Sequence, residues 1–188
     1  MTNSYISRAG IKFEEALRHY GVDVTGKVCM DVGAATGGFT DCFLQHGAKE
    51  VYAVETGYGV LDWKLRNDLR VIVKERSNIL YSLDIPRDID IAVVDTSWTK
   101  LKLSVPATSR FVKPSGIILA LIKPQYEVDS DSDRDLRRGV LDSEVSIRIA
   151  QKVAAGLQDL GFVVSEIIDS PITGEAGNKE YWIKLMLK

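Results

Sequence analysis

The sequence predicts a doubly wound α/β fold with a mostly parallel, seven-stranded sheet whose last strand is antiparallel. Three observations carry this. Apolar runs alternate along the chain with segments of helical periodicity. Two of the runs, 89–95 and 117–123, are apolar on both faces, as strands in the middle of a helix-covered parallel sheet must be. A glycine-rich turn, Gly33-Ala-Ala-Thr-Gly-Gly38, follows the first run, where such folds admit a ligand.

Taken in order, residues 1–22 form an N-terminal helical segment that carries Lys12, with Phe13, Ala16, Leu17 and Tyr20 at helical spacing and Gly21 as its stop. A strand at 28–31 leads into the glycine turn, and a helix opens there with Phe39, Cys42 and Phe43 inward and Gly47 at its end. Strands are expected at 51–55 and 71–74, with a short helix at 60–66 between them. A helix at 100–112 separates the strands at 89–95 and 117–123. Residues 125–138 are dense in charge without apolar periodicity, so a mobile loop is expected. A long helix follows Asp142-Ser143, with Val145, Ile149, Val153, Leu157 and Leu160 on one face and Gly161 closing it. Strands at 163–168 and 180–187 end the chain, and this closing pair predicts an antiparallel edge.

The 188 residues suffice for one well-packed domain and are short for two. Apolar residues make up 45% and charged residues 27%, an ordinary globular composition that argues against disorder. A net charge of −2 does not mark a nucleic-acid binder, so any such contact must come from a local basic patch. The longest clean apolar run, 116–122, is far too short to cross a bilayer, and the reading expects a soluble, cytoplasmic protein without membrane contact. Cys29 and Cys42 have no metal-ligand spacing, and no metal site is expected; both read as small buried hydrophobes. His19 and His46 stand near helix C-termini, where contact with the helix dipole is their expected role.

The chemistry is expected at the strand ends, because ligands in open α/β sheets bind outside the carboxyl edge. Asp31, Glu55, Asp95 and Lys123 end four apolar runs, a repetition of charge that core packing does not require. In the turn, Gly33 and Gly37 are too far apart for the dinucleotide fingerprint, which needs its first two glycines one residue apart. The spacing resembles instead the loop that curls under the amino-acid part of S-adenosylmethionine. Asp31, Gly33, Ala34, Gly37, Gly38 and Phe39 are the candidate residues of that loop, with Glu55 for the ribose hydroxyls, Asn78 for the adenine edge, and Asp95 beside them.

Five motifs in order, Tyr5-Ile-Ser-Arg-Ala-Gly-Ile-Lys12, Asp31-Val-Gly-Ala-Ala-Thr-Gly-Gly-Phe-Thr-Asp41, Gly57-Tyr-Gly-Val-Leu-Asp-Trp63, Ile122-Lys-Pro-Gln-Tyr-Glu127 and Gly177-Asn-Lys-Glu180, resemble the TlyA family. These haemolysin-like proteins are rRNA 2′-O-methyltransferases with an FtsJ-like catalytic domain. The resemblance implies a Rossmann-like methyltransferase fold over residues 1–188, S-adenosylmethionine as cofactor and cytidine ribose in rRNA or a ribosomal subunit as substrate. It also implies a catalytic Lys-Asp-Lys-Glu tetrad at Lys12, Asp95, Lys123 and Glu180. Ala9 stands where the family usually has glycine, and Thr-Ser-Trp follows Asp95 where Val-Ser-Phe is expected. Family members usually carry an N-terminal RNA-binding domain, so the reading expects that domain to be separate or missing.

Methyl transfer to a hydroxyl is an in-line displacement in which positioning supplies much of the acceleration. An ordinary lysine, with a pKa of about 10.4, is a poor base at neutrality. A neighbouring Lys12 would lower the Lys123 pKa and Asp95 and Glu180 would raise it, which leaves Lys123 as either base or hydroxyl-orienting group. RNA contact is expected from Arg8, Lys12, Lys64, Arg66, Arg134, Arg137 and Arg138, with Tyr126 available to stack on a base. No cysteine follows a later strand and no Asn-Pro-Pro-Tyr follows the fourth, which argues against attack on a pyrimidine ring or an exocyclic amine. Three other readings remain: a methyltransferase acting on a small molecule or protein, a membrane-active haemolysin, and an RNA-binding protein without turnover.

Overall fold

A computed structural model describes residues 5–128, 136–137, 140–174 and 177–188, with only the backbone of 136–137. The main sheet runs, in spatial order, β3 (Val71–Lys74), β2 (Glu50–Val54), β1 (Val28–Val32), β4 (Ile89–Val94), β5 (Val112–Ile122), β10 (Tyr181–Leu187) and β8 (Phe162–Val164). The first five pair in parallel, and β10 is antiparallel to both of its neighbours β5 and β8. This is the doubly wound α/β fold that the apolar runs predict.

Period-two alternation splits the strands between two cores. Cys29, Val51, Ala53, Ile91, Val93, Leu119, Leu121 and Trp182 face α1 (Ala9–His19), α2 (Gly38–Gln45) and α3 (Trp63–Arg66). Met30, Val32, Val54, Ala92, Val94, Ile118, Ala120 and Ile183 face α4 (Leu101–Ser109) and α6 (Ser143–Asp159). The centre of the first core is aromatic: the Phe13 ring lies 4.7 Å from Phe43, 5.1 Å from Phe39 and 5.9 Å from Trp182. Tyr20 ties the end of α1 to the sheet, its hydroxyl donating to the Trp182 and Glu166 carbonyls at 2.8 and 2.9 Å. Tyr20→Phe is expected to cost about 0.5–1.5 kcal/mol in urea unfolding, the usual net worth of such a hydrogen bond.

The closing strands form the expected antiparallel edge, β10 lying between β5 and the outermost β8. Four expectations are corrected. The strand expected at 163–168 is two short ones, β8 and β9 (Ile168–Asp169), both paired with β10, which makes eight strands. The helix expected over 100–112 stops at Ser109, because the Phe111 carbonyl takes the Ile89 amide (3.1 Å) and turns the chain into β5. The helix expected over 60–66 begins only at Trp63: the amides of Gly59, Val60 and Leu61 are committed to the Glu75 carboxylate, and Asp62 caps α3. Within the expected loop 125–138, Pro124–Glu127 is a helical turn, α5, and β6 (Leu136–Arg137) pairs with β7 (Val140–Leu141). Residues 129–135 lie outside the described ones.

Candidate active site

The carboxyl edge of the sheet gathers the predicted charges because they share one strand parity. Continuing the alternation of Ile91 and Val93, Leu119 and Leu121, and Trp182, places Asp95, Lys123 and Glu180 on the α1 side of the sheet. One step beyond the register pair Tyr181–Ile122, Glu180 and Lys123 are neighbours. Lys12, on the inner face of α1, reaches across to Glu180 with Nζ 2.5 Å from Oε2, and both side chains are buried. Lys123 pairs with Asp95. The two pairs form one electrostatic group. Burial works to depress the Lys123 ammonium, but Asp95 beside it, helped by Glu180 and Tyr126, holds its pKa above the ordinary value. Burial likewise raises Glu180, against the pull of Lys12 and Lys123.

Beside this group lies a cleft of about 500 Å³, lined by Gly33, Glu55, Asn78, Asp95 and Lys123 among others. Its floor is the glycine turn, whose Gly33 and Ala34 amides donate to the Val54 carbonyl at 2.9 and 3.1 Å. Gly33 has φ +90°, and a Cβ there would stand 2.3 Å from the Asp95 carbonyl oxygen, so only glycine lets the turn cross under Asp95. Glu55 holds the turn from the second strand end: Oε2 accepts from the Ala35 amide (2.9 Å) and Oε1 from the Gly57 amide (2.8 Å). Asn78 turns the chain at the cleft wall, its Oδ1 accepting from the Leu80 amide at 2.9 Å.

The other loop candidates support the floor from behind. Asp31 is fully buried and accepts from the Thr40 hydroxyl at 2.7 Å. Burial above all, with Asp95 and Glu55 adding to it against the Thr40 hydrogen bond, pushes its pKa up to about 7. Ala34 is buried, Gly37 sits against Leu65 at the start of α2, and Gly38 packs on Ser7 and Ala9. Phe39 belongs to the aromatic core and does not line the cleft.

Sequence reasoning did not single out Thr56, Ser77, Ser97 and Trp98, which also line the cleft. The available signal was position, since each follows a strand end within a few residues. Trp98 is 91% exposed, with its ring 5.4 Å from that of Tyr126. Among the proposed RNA contacts, Arg8 and Lys64 are exposed, while Lys12 is buried in its ion pair. Arg66 is half-buried; it pairs with Glu75 and its Nε donates to the Leu61 carbonyl at 3.0 Å, so it holds the end of the 57–61 loop. Arg134, Arg138 and the Arg137 side chain lie outside the described residues. Both cysteines are free and buried, and burial pushes the Cys42 thiol up to about 12. His19 faces Glu166 at 3.1 Å, and His46 Nδ1 donates to the Cys42 carbonyl at 2.9 Å. No helix among the described residues is long and apolar enough to cross a membrane.

YqxC of Bacillus subtilis is 38% identical over 187 residues, which is 96% of this chain and 65% of that protein. The Mycobacterium tuberculosis protein named 16S/23S rRNA (cytidine-2′-O)-methyltransferase TlyA is 37% identical over 185 residues, 97% of this chain and 68% of its own length. A crystal structure of a Lactococcus lactis protein classed as a hemolysin matches with a TM-score of 0.91 at 37% identity, covering 98% of this chain and 89% of that one. The family described as FtsJ-like methyltransferase matches residues 5–186. That match runs from before α1 into β10 and includes Lys12, Asp95, Lys123 and Glu180, and the chain belongs to the FtsJ-like methyltransferase family, among relatives that include TlyA and YqxC.

Proposed function

We propose that this chain transfers a methyl group from S-adenosylmethionine to the ribose 2′-hydroxyl of cytidine in rRNA, using Lys12, Asp95, Lys123 and Glu180. The observation that carries the reading is the pair of ion pairs, Lys12–Glu180 and Asp95–Lys123, set beside a cleft floored by backbone. The name of the M. tuberculosis relative supports the substrate.

The residues of the cleft fit the cofactor. The Gly33 turn offers a surface free of side chains, and Glu55 is an acceptor at the second strand end with lone pairs beyond those that the Ala35 and Gly57 amides use. When bound, the cofactor supplies an electrophilic methyl group on a sulfonium. The chain's own groups prepare the hydroxyl. With its pKa held up, Lys123 is an ammonium at neutral pH; it donates to a lone pair of the hydroxyl oxygen, orients it for in-line attack, and is not the base. The hydroxyl becomes strongly acidic as the new C–O bond forms, so a weak base such as the Asp95 carboxylate suffices to take its proton. Glu180, anchored by Lys12, holds the far side of the group in place.

Two measurements test this. Ribose methylation mapped on ribosomal subunits, with and without the protein, should show a new cytidine 2′-O-methyl group; methyl incorporation elsewhere would refute the substrate. Calorimetry should detect S-adenosylmethionine and give no signal with NAD. In the same titration Glu55→Ala should weaken cofactor binding by about 1–3 kcal/mol, the range for hydrogen bonds to a charged group.

A further inference from the structure

Asp95 and Lys123 both stand just past the ends of their strands, where the sheet ladder no longer holds the backbone. Asp95 keeps one last ladder bond, from its amide to the Val32 carbonyl (2.9 Å). Beyond it, residues 96–100 and 124–128 depend on other contacts, and the structure shows a reciprocal clasp between them. The Glu127 carboxylate accepts from the Leu101 amide at 2.8 Å, which caps the first turn of α4. In return, Lys100 Nζ donates to the Val128 carbonyl at 3.0 Å. Between clasp and ion pair, the Trp98 ring lies against that of Tyr126, and the Thr96 hydroxyl donates to the Thr99 carbonyl at 2.7 Å. The two loops therefore close into a ring, with Asp95–Lys123 at one end and Glu127–Leu101 at the other.

We infer that Glu127 is a positioning residue for the Asp95–Lys123 pair, acting through the Leu101 amide and not on any bound molecule. Its effect is geometric. An amide at the start of a helix needs an acceptor, and a carboxylate is the strongest available there. Without it the 96–101 segment loses one of the bonds that fix its far end, and the loop that carries Asp95 is tied to residues 124–128 only through Lys100 and the Trp98–Tyr126 contact. The reacting groups of a displacement lose much of their rate when misplaced by as little as about 1 Å. The sequence contains this residue in the Ile122-Lys-Pro-Gln-Tyr-Glu127 motif but gives it no task; the fold does.

The kinetic part of the inference rests on the proposed methyl transfer, and the structural part does not. The test uses the full chain and four proteins: wild type, Glu127→Ala, Glu127→Gln and Lys100→Met. Amide hydrogen exchange of 96–101 is read together with methyl incorporation into ribosomal subunits at saturating S-adenosylmethionine. Glu127→Ala should exchange faster over 96–101 and lose roughly tenfold or more in turnover, while the KM for the cofactor changes little. Glu127→Gln keeps an acceptor for the Leu101 amide and should recover most of both. Lys100→Met should act in the same direction, more weakly, and supplies the test if Glu127→Ala does not fold. A merely structural cap would lower the melting temperature without this split or this rescue. Unchanged exchange over 96–101 in Glu127→Ala, or unchanged turnover, overturns the inference. If the wild type leaves ribosomal subunits unmethylated, the proposed substrate fails, and exchange in Glu127→Ala and Glu127→Gln alone decides the role of Glu127.

Discussion

Lys123→Met is expected to lower methyl transfer by roughly 10²-fold, the scale of loss when a reacting group is misplaced by about 1 Å. Methionine keeps the length of the stem and removes the charge. Asp95 is then left at the cleft without its partner, so the variant tests the pair and not only the ammonium. Cofactor affinity should hold, because a sulfonium gains nothing from a nearby ammonium. The pH dependence separates the two roles open to Lys123. An amine base would give a rate rising with pH toward a pKa that Asp95 holds above the ordinary lysine value. An orienting ammonium is fully charged through neutrality and gives a plateau there. Single-turnover methyl incorporation across that pH range, with calorimetry of the cofactor on the same variant, reads both. Full turnover by Lys123→Met on a proven substrate would refute its role.

Asp31→Asn is expected to gain stability relative to wild type, on the order of a few kcal/mol, as pH rises to 7, because burial holds the Asp31 carboxyl up to about 7. The sign follows from the raised pKa. Between about pH 4 and pH 7 the folded protein keeps a proton on Asp31 that the unfolded chain releases, so wild-type stability falls as pH rises through that window and levels off above it. Asparagine has no proton to lose and still offers the Thr40 hydroxyl an acceptor, replacing the bond now 2.7 Å long. Urea unfolding of both proteins at several pH values should show curves that nearly coincide near pH 3 and separate up to pH 7. A constant gap across pH would show that Asp31 does not titrate in this window.

Much of this molecule was legible before its structure. Strands β4 and β5 announced themselves through runs apolar on both faces, because a strand covered on both faces leaves no room for polar alternation, and β1 to β3 through shorter apolar runs. The charges that end those runs marked the carboxyl edge, and the glycine turn marked where backbone must pass closely under a neighbour. Those are local facts, written in spacings of a few residues. Lys12 and Glu180 were named from motifs, but their contact spans 168 positions and no periodicity encodes it.

Tertiary structure decided the rest. It placed β10 between β5 and β8, antiparallel to both. It broke the 60–66 helix by committing three amides to Glu75, and it drew Arg66 into the same cluster. It also settled which acid each lysine meets. The sequence offers two lysines and two acids whose mutual effects oppose one another, so the Lys123 pKa could have moved either way. The fold pairs Lys12 with Glu180 and Lys123 with Asp95, and the sign follows from those pairings. Composition and spacing determine which groups reach the sheet edge; because Coulomb energy depends on distance and burial, only the assembled sheet and helix determine what each group does there.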